Sequence, residues 1–457
     1  MTDETITTPI AEILTLIEEK HWQSVRDGFS TLLPADKVLV FQSLSSENQQ
    51  AFLSVIKSSD TADIMDKLED QEAASVANLL SSQKLIGILS QMRPDEAANL
   101  LGDLEIDRRQ ELLKHLPEEE KLRSLLQYPD DTAGGLMTYN YYSFSEEMPS
   151  VEILRRLRAQ QARDEEIPYI YAVDSLGRLR GVAWMTDLIR AHPDEPLKDI
   201  AKTQYVFIKA TKDQETAARL LNRYDLLALP VVDEQQRLIG VITADDAMAV
   251  LQEETSEDIY RSAGIITGRR KQPPKSDMLI RGPVWQVWLV RVPFLLITMV
   301  GGMLAGIVIE FFQPALEAVV ILSVFIPIIM DMGGNAGVQS TSIFIRGYVL
   351  GQIDSKRFWF HLLREMLIGI GIGVVLGIST GIVAFFWIND ANIGWVVGLS
   401  LICTMTLATI LGFSIPFILT KLNIDPTAGS SPLITTIKDI TGLFIYFGFA
   451  TLFLNLA

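Results

Sequence analysis

After residue 284 the chain carries five apolar runs, each long enough to cross a bilayer. About 20 residues span the hydrocarbon core. The runs cover 287–309, 316–345, 360–387, 395–419 and 433–456. A chain with this pattern must place its last third in a membrane. The second run is either long or broken at its glycines, within IPIIMDMGGNAGVQSTS from Ile326.

Everything before the runs reads as a soluble, acidic protein. The net charge is −17 over 457 residues and sits mostly there. A nucleic-acid partner is thereby disfavoured, because phosphate binding needs a basic surface. Such a surface suits a protein that collects cations. The single Cys403 excludes a disulfide framework and a cysteine metal cluster. The opening MTDETITTPIAE is acidic and polar, which predicts no cleaved secretory signal and a cytosolic N-terminal part.

Two internal repeats organise this soluble part. VFQSLSSENQ at Val40, IMDKLEDQEA at Ile64, ILSQMRPDEA at Ile88 and LLKHLPEEEK at Leu112 recur every 24 residues. Two short helices fit each unit, and stacking them makes a small α-solenoid. YAVDSLGRLRGVAWMTDL from Tyr171 then matches PVVDEQQRLIGVITADDA from Pro230 at an offset of 59. Each copy reads as strand, tight turn, strand and a helix starting at an acid, Asp187 or Asp246. An amphipathic helix precedes each copy. The pair closely resembles tandem CBS domains, over about 137–252. From Met248 to Gly264 the sequence predicts a linking helix, and a Pro-rich basic junction follows.

Basic residues set membrane orientation. Arg269, Arg270, Lys271, Lys275 and Arg281 precede the first run. Arg346, Lys356, Arg357 and Arg364 separate the second from the third, and Lys421 follows the fourth. The loops EFFQPALE and INDANIG carry neither Lys nor Arg. The expected topology is a cytosolic N-terminus and, after five spans, a C-terminus outside the cell.

Ionisable residues inside a membrane are costly, and their default reading is functional. The candidates are Asp331 in the second run and Asp439 in the fifth. Lys438 is adjacent to Asp439 but is expected to face another side of its helix, since neighbours i and i+1 diverge. The glycines could serve close helix packing. Alternatively Gly333, Gly334, Asn335, Gly337 and Gln339 could offer carbonyl oxygens from loosened backbone along a wet cavity. Oxygen ligands and carboxylate without His or Cys nearby fit a hard cation. An anion path would need Arg or Lys within the spans, and these runs are poor in them.

PIIMDMGGNAGVQS, the PxxxxxxDITG pattern from Pro432 to Gly442, and the order solenoid, two CBS copies and five spans together resemble the MgtE magnesium channel family over nearly the whole chain. The resemblance implies a multidomain membrane protein: an α-helical solenoid over 1–134, CBS copies over 135–198 and 199–252, a linking (plug) helix and junction over 253–283, and a five-helix transmembrane domain over 284–457. It implies a homodimer in the cell (inner) membrane, with a pore on the two-fold axis and a cytosolic part that closes it when internal Mg²⁺ is high. Asp439 matches the family's pore acid. Pro327, Gly334, Asn335, Gly337 and Gln339 match its second-span signature, and Asp331 would add a second carboxylate. Asp95, Asp213, Glu215, Asp225 and Asp246 match sensor acids. Glu254, Glu257 and Asp258 match acids on the linking helix. Asn99 and Ala249 replace acids found in other members, implying a weaker Mg²⁺ bridge between solenoid and CBS module. Val338, like Asp331, differs from some members. Tyr169 and Asp187 match nucleotide positions, but Leu226 replaces an aromatic that stacks on adenine, so ATP binding is expected to be weak or absent.

Two other functions compete with this reading. A secondary transporter coupling a divalent cation to H⁺ or Na⁺ would use the same acids. A membrane enzyme with CBS regulation would need a chemical centre. The chain has no P-loop and no HExxH, and His21, His115, His192 and His361 are scattered, so no enzyme activity is expected.

Overall fold

In the computed structural model the described residues are 4–68, 70–159, 168–265, 279–280, 282–422, 424–427 and 430–454. The basic residues Arg269, Arg270, Lys271, Lys275 and Arg281, used above for orientation, lie outside them. The chain divides into two units, Met1–Gln252 and Glu253–Ala457.

The first unit opens with α1 (Glu4–Glu18) and α2 (Trp22–Phe29). The solenoid follows as α3 (Pro34–Gln42), α4 (Ser46–Val55), α5 (Ser58–Met65), α6 (Asp70–Leu79), α7 (Ser82–Leu89), α8 (Pro94–Asp103), α9 (Ile106–Leu113) and α10 (Glu119–Leu125). The helices α3, α5, α7 and α9 begin 24 residues apart, and so do α4, α6 and α8. The repeat follows from burial: Val40, Ile64, Ile88 and Leu112, one per unit, are all fully enclosed. A helix of two or three turns cannot hide its apolar face alone, so each unit completes its neighbour's core. One buried polar link joins consecutive units. Lys37 on α3 reaches Asp60 at 2.7 Å and Asp63 at 2.6 Å on α5. The buried ammonium thus has two carboxylate partners, both on α5.

The next segment holds α11 (Ala133–Leu136), β1 (Tyr142–Ser145), α12 (Ser150–Ala159), β2 (Tyr169–Val173), β3 (Leu179–Trp184), α13 (Met185–Arg190) and α14 (Leu197–Ile200). The second copy is β4 (Ile208–Lys209), α15 (Gln214–Arg223), β5 (Ala228–Val232), β6 (Leu238–Thr243) and α16 (Ala244–Ser262). Each copy is a three-stranded sheet with the first strand parallel to the second and the third antiparallel. The second and third strands of the two copies, and their bulges, are offset by 59 residues. The turns are chemically the same. Asp174 Oδ1 accepts from the Leu176 and Arg178 amides, each at 2.9 Å. Asp233 Oδ1 does so from Gln235 at 2.9 Å and Arg237 at 2.8 Å. The left-handed position is Gly177 (φ 75°) in one copy and Gln236 (φ 62°) in the other. The two turns bond to each other, Leu179 N to Gln236 O at 3.1 Å and Leu238 N to Gly177 O at 3.0 Å. This is the pseudo-two-fold pairing of tandem CBS domains.

The helix expected from Met248 starts earlier. It is the second copy's own last helix, α16, continued without interruption to Ser262. Gly264 ends it in the left-handed conformation (φ 78°), and Ile265 N bonds back to Tyr260 O at 2.9 Å, a helix-closing turn.

The second unit continues with α17 (Val284–Phe311), the short α18 (Gln313–Ala318), a 3₁₀ turn (Val320–Phe325), α19 (Ile326–Val349), α20 (Phe358–Ile388), α21 (Ala391–Lys421) and α22 (Ser430–Phe453). Among the described residues five helical stretches are long and apolar enough to cross a membrane, with α19 counted from its 3₁₀ turn. The most enclosed is α21, which packs against α19, α20 and α22. The break expected at the glycines of the second span lies elsewhere. It falls at the 3₁₀ turn ahead of Pro327, which sits in the first turn of α19, where its missing N–H costs nothing. Gly333, Gly334 and Gly337 lie within continuous helix.

Candidate functional site

Two polar constellations stand out, one in each unit. In the membrane unit, α19 presents Asp331, Asn335 and Gln339 four residues apart, and all three are exposed in the single chain. That spacing places them on one helix face. Asn335 Nδ2 donates to Asp331 Oδ2 at 3.2 Å. Among the described residues no Lys or Arg lies within ion-pair distance of Asp331.

The glycines on α19 serve close approach to α21 and α22. A Cβ on Gly333 would stand 2.7 Å from Lys438 Cδ and 2.9 Å from Thr404 Cγ2. One on Gly337 would stand 2.9 Å from Ile434 Cγ2 and 3.4 Å from the Ala408 carbonyl oxygen. The Gly337 carbonyl, expected to be offered to an ion's water shell, already has the Thr341 hydroxyl at 2.9 Å. Packing of small residues between membrane helices accounts for these positions.

Asp439 on α22 is partly exposed, with its Oδ1 enclosed and lacking a well-directed hydrogen bond. Lys438 does not face away as expected. Its Nζ lies 2.5 Å from Asp439 Oδ1, and it also donates to the Met330 carbonyl. Only 2% of Lys438 is exposed. Adjacent Cα–Cβ bonds diverge, but the four-carbon lysine stem is long enough to fold back beside its neighbour. The Lys438 ammonium thus joins α22 to α19 one residue before Asp331. Sequence reasoning also missed Glu365. It is buried on α20 and accepts from Ser340 Oγ at 2.7 Å. Its signal was available, as an acid five residues inside the expected third span.

In the first unit, Asp95 and Glu96 lie in the first turn of α8, and Asp245 and Asp246 in the first turn of α16. Asp95, Glu96 and Asp246 each offer an oxygen within 4.8 Å of the others. Arg93 stands among them, its Nη2 at 2.7 Å from Glu96, 3.3 Å from Asp246 and 3.6 Å from Asp95. Asp246 also accepts from the Thr243 hydroxyl at 2.5 Å. Asp95 Oδ1 is buried without a partner. Burial pushes the Asp95 carboxyl up to about 6 and Glu96 up to about 7, with Arg93 pulling the other way. Nearby Asp66 is also raised by burial to about 6, and Arg93 again opposes the shift. Three carboxylates with one buried, unsatisfied oxygen fit a hard cation. The guanidinium already stands where such an ion would bind.

Of the expected sensor acids, the structure brings Asp95 and Asp246 together and adds Glu96 and Arg93. Asp213 and Glu215 lie at the start of α15, and Asp225 follows its end. Asp213 caps α15, accepting from the Glu215 amide at 2.8 Å and the Thr216 amide at 3.3 Å. Glu215 pairs with Arg219. Asp225 is exposed in a left-handed conformation (φ 50°). In the second unit Glu254, Glu257 and Asp258 share one stretch of α16. Glu257 is buried and pairs with Arg261, which also pairs with Asp425 in the loop between α21 and α22. Asp425 carried no signal in the sequence reading.

At the expected nucleotide positions, Tyr169 is buried, its ring packed on Trp184 at 4.6 Å and its hydroxyl 3.4 Å from the Leu227 amide. Asp187 is half-buried in the first turn of α13, and Leu226 is half-buried.

A family model described as a divalent cation transporter (MgtE) matches residues 326–449. The MgtE intracellular N domain matches 32–131, and the CBS domain matches 197–253. The magnesium transporter MgtE of Thermus thermophilus is 34% identical over 447 residues, covering 96% of this chain and 97% of that protein. Its namesake in Bacillus subtilis is 32% identical over 448 residues, covering 98% and 97%. Among solved structures, the cytosolic domain of the Mg²⁺ channel MgtE in complex with ATP aligns with a TM-score of 0.50 and 32% identity, covering 53% of this chain and 99% of that one.

Proposed function

Since this chain belongs to the MgtE family of magnesium transporters, we propose that it is a Mg²⁺ channel for uptake across the cell membrane, closed from the cytosol by Mg²⁺ itself. The observation that carries the pore reading is the stripe Asp331, Asn335 and Gln339, exposed on one chain's membrane helix. Acids and amides are not stable against acyl chains. The stripe therefore faces water, a second copy, or both. A homodimer with its two-fold axis beside α19 and α22 meets that demand and doubles the carboxylates. Mg²⁺ dehydrates reluctantly and keeps several waters. Asp439 and Asp331 would hold the hydrated ion through its water shell, with the Asn335 and Gln339 amides completing the path.

The soluble unit is the sensor in this reading, with a cytosolic N-terminus and the C-terminus outside. Asp95, Glu96 and Asp246 join the solenoid to the second CBS copy. Asp213, Glu215, Asp225, Glu254, Glu257 and Asp258 supply further sites. A cation shared across such contacts favours the compact arrangement only by its differential affinity for it.

Flux of Mg²⁺ into proteoliposomes of the pure chain tests the reading. Uptake driven by the Mg²⁺ gradient and voltage alone is expected, and a requirement for an H⁺ or Na⁺ gradient would replace the channel with a coupled transporter. Asp439→Asn should lower flux strongly while the dimer persists. Asp331→Asn should lower it less.

A further inference from the structure

The ion pair at the candidate pore acid has no role in the reading above, although it rests on that reading. We propose that Lys438 is a built-in competitor of the transported cation for Asp439, setting how weakly the pore holds its ion. The Lys438 ammonium is enclosed, with the Asp439 carboxylate and the Met330 carbonyl as its partners. Gly333 and Gly334 make its passage possible. Any side chain at Gly333 would collide with the lysine stem, and a Cβ on Gly334 would lie 3.2 Å from Nζ. The double glycine of α19 therefore opens the channel in which the stem lies.

Burying an ammonium beside a carboxylate does not stabilise a helix pair by itself. The desolvation cost roughly cancels the attraction, and well-packed apolar residues often do better. A second consequence follows from charge. An arriving divalent cation meets Asp439 with Oδ1 already engaged and a positive charge at its side. It must either displace the ammonium or share the carboxylate with it. Both weaken binding relative to a lone carboxylate. Weak binding is useful in a conduction pathway, where an ion must leave as readily as it enters. Among the described residues Asp331 has no Lys or Arg within ion-pair distance, and its side-chain partner is the Asn335 amide.

The test is Mg²⁺ flux through the full chain in proteoliposomes as a function of external Mg²⁺. Lys438→Met keeps the stem and removes the charge. Removing one nearby positive charge should lower the half-saturating Mg²⁺ concentration by about tenfold or more, and lower the maximal flux as the ion leaves more slowly. Lys438→Arg should stay close to wild type. A role limited to joining α22 to α19 would leave the half-saturating concentration unmoved. If Lys438→Met does not fold, Lys438→Gln makes the same test. An unchanged or higher half-saturating concentration in the folded neutral variant overturns the proposal. Asp439→Asn separates the two readings. If it conducts like wild type, Asp439 is not part of the ion site and the lysine proposal falls with it. If it is defective while the neutral lysine variants match wild type, only the lysine proposal falls.

Discussion

Arg93 at the start of one solenoid helix lies 3.3 Å from Asp246 at the start of the last CBS helix, 153 residues later in the chain. A fixed guanidinium thus stands at the junction where a regulatory cation would act. It screens Asp95, Glu96 and Asp246 from one another in the absence of metal.

Replacing Arg93 should therefore make this junction depend more on Mg²⁺. Arg93→Gln leaves partly buried carboxylates without their cation, a change that costs on the order of 3 kcal/mol at buried pairs. In limited proteolysis of the full chain, the variant should be cut faster than wild type without Mg²⁺. It should regain protection as Mg²⁺ is added. Equal cutting rates without Mg²⁺ would show that the guanidinium does not hold the junction.

Acidity should act on the same cluster in a defined direction. The folded carboxyls of Asp95, Asp66 and Glu96 are raised to about 6, 6 and 7, above ordinary values near 4. Between the ordinary and raised values the folded state binds more protons than the unfolded state, so stability falls as pH rises through that window. Without Mg²⁺, protease protection of the soluble part should be greater near pH 5.5 than near pH 8. Protons and Mg²⁺ compete for the same oxygens, so protection by Mg²⁺ should be largest at pH 8. Protection by Mg²⁺ that is the same at both pH values would remove these acids from the sensor.

ATP should bind weakly or not at all. Leu226 offers no aromatic face, and stacking contributes about 1–3 kcal/mol per base where it occurs. Tyr169 is already packed against Trp184. Calorimetry should give no micromolar dissociation constant for the wild-type chain, and Leu226→Phe should tighten binding. A micromolar constant for wild type would contradict this account.

Much of the architecture was legible because it is periodic. The 24-residue rhythm and the 59-residue duplication follow from one burial pattern written repeatedly, as Val40, Ile64, Ile88 and Leu112 illustrate. The membrane runs were legible through length and apolarity. Partnerships between distant charges were not. Nothing local to Arg93 announces Asp246, and the Arg261 contact with Asp425 joins residues 164 positions apart. The place of Lys438 was not legible either, because neighbouring Cα–Cβ bonds diverge while a flexible lysine stem can fold back beside Asp439. For the glycines of α19 the sequence allows both close packing and free carbonyls, and packing is what the structure shows. In a continuous helix those carbonyls are largely engaged, and the missing side chains matter more. Glu365 shows a different gap. The acid was visible, but its value depends on Ser340, a hydroxyl from another helix.

The exposed stripe on α19 also bears on how the protein is made. Membrane segments enter the bilayer in chain order, and an Asp at the centre of a lone helix costs roughly 3 kcal/mol on insertion scales. Asp331, Asn335 and Gln339 emerge from the ribosome before α21 and α22 exist to cover the other side of their helix. During that interval α19 is a poor lodger in lipid, held in place by α17 before it and by the basic residues that follow it. Because the stripe is still exposed in the finished single chain, this vulnerable stage outlasts synthesis of the last helix and ends only when water or a second copy meets Asp331, Asn335 and Gln339.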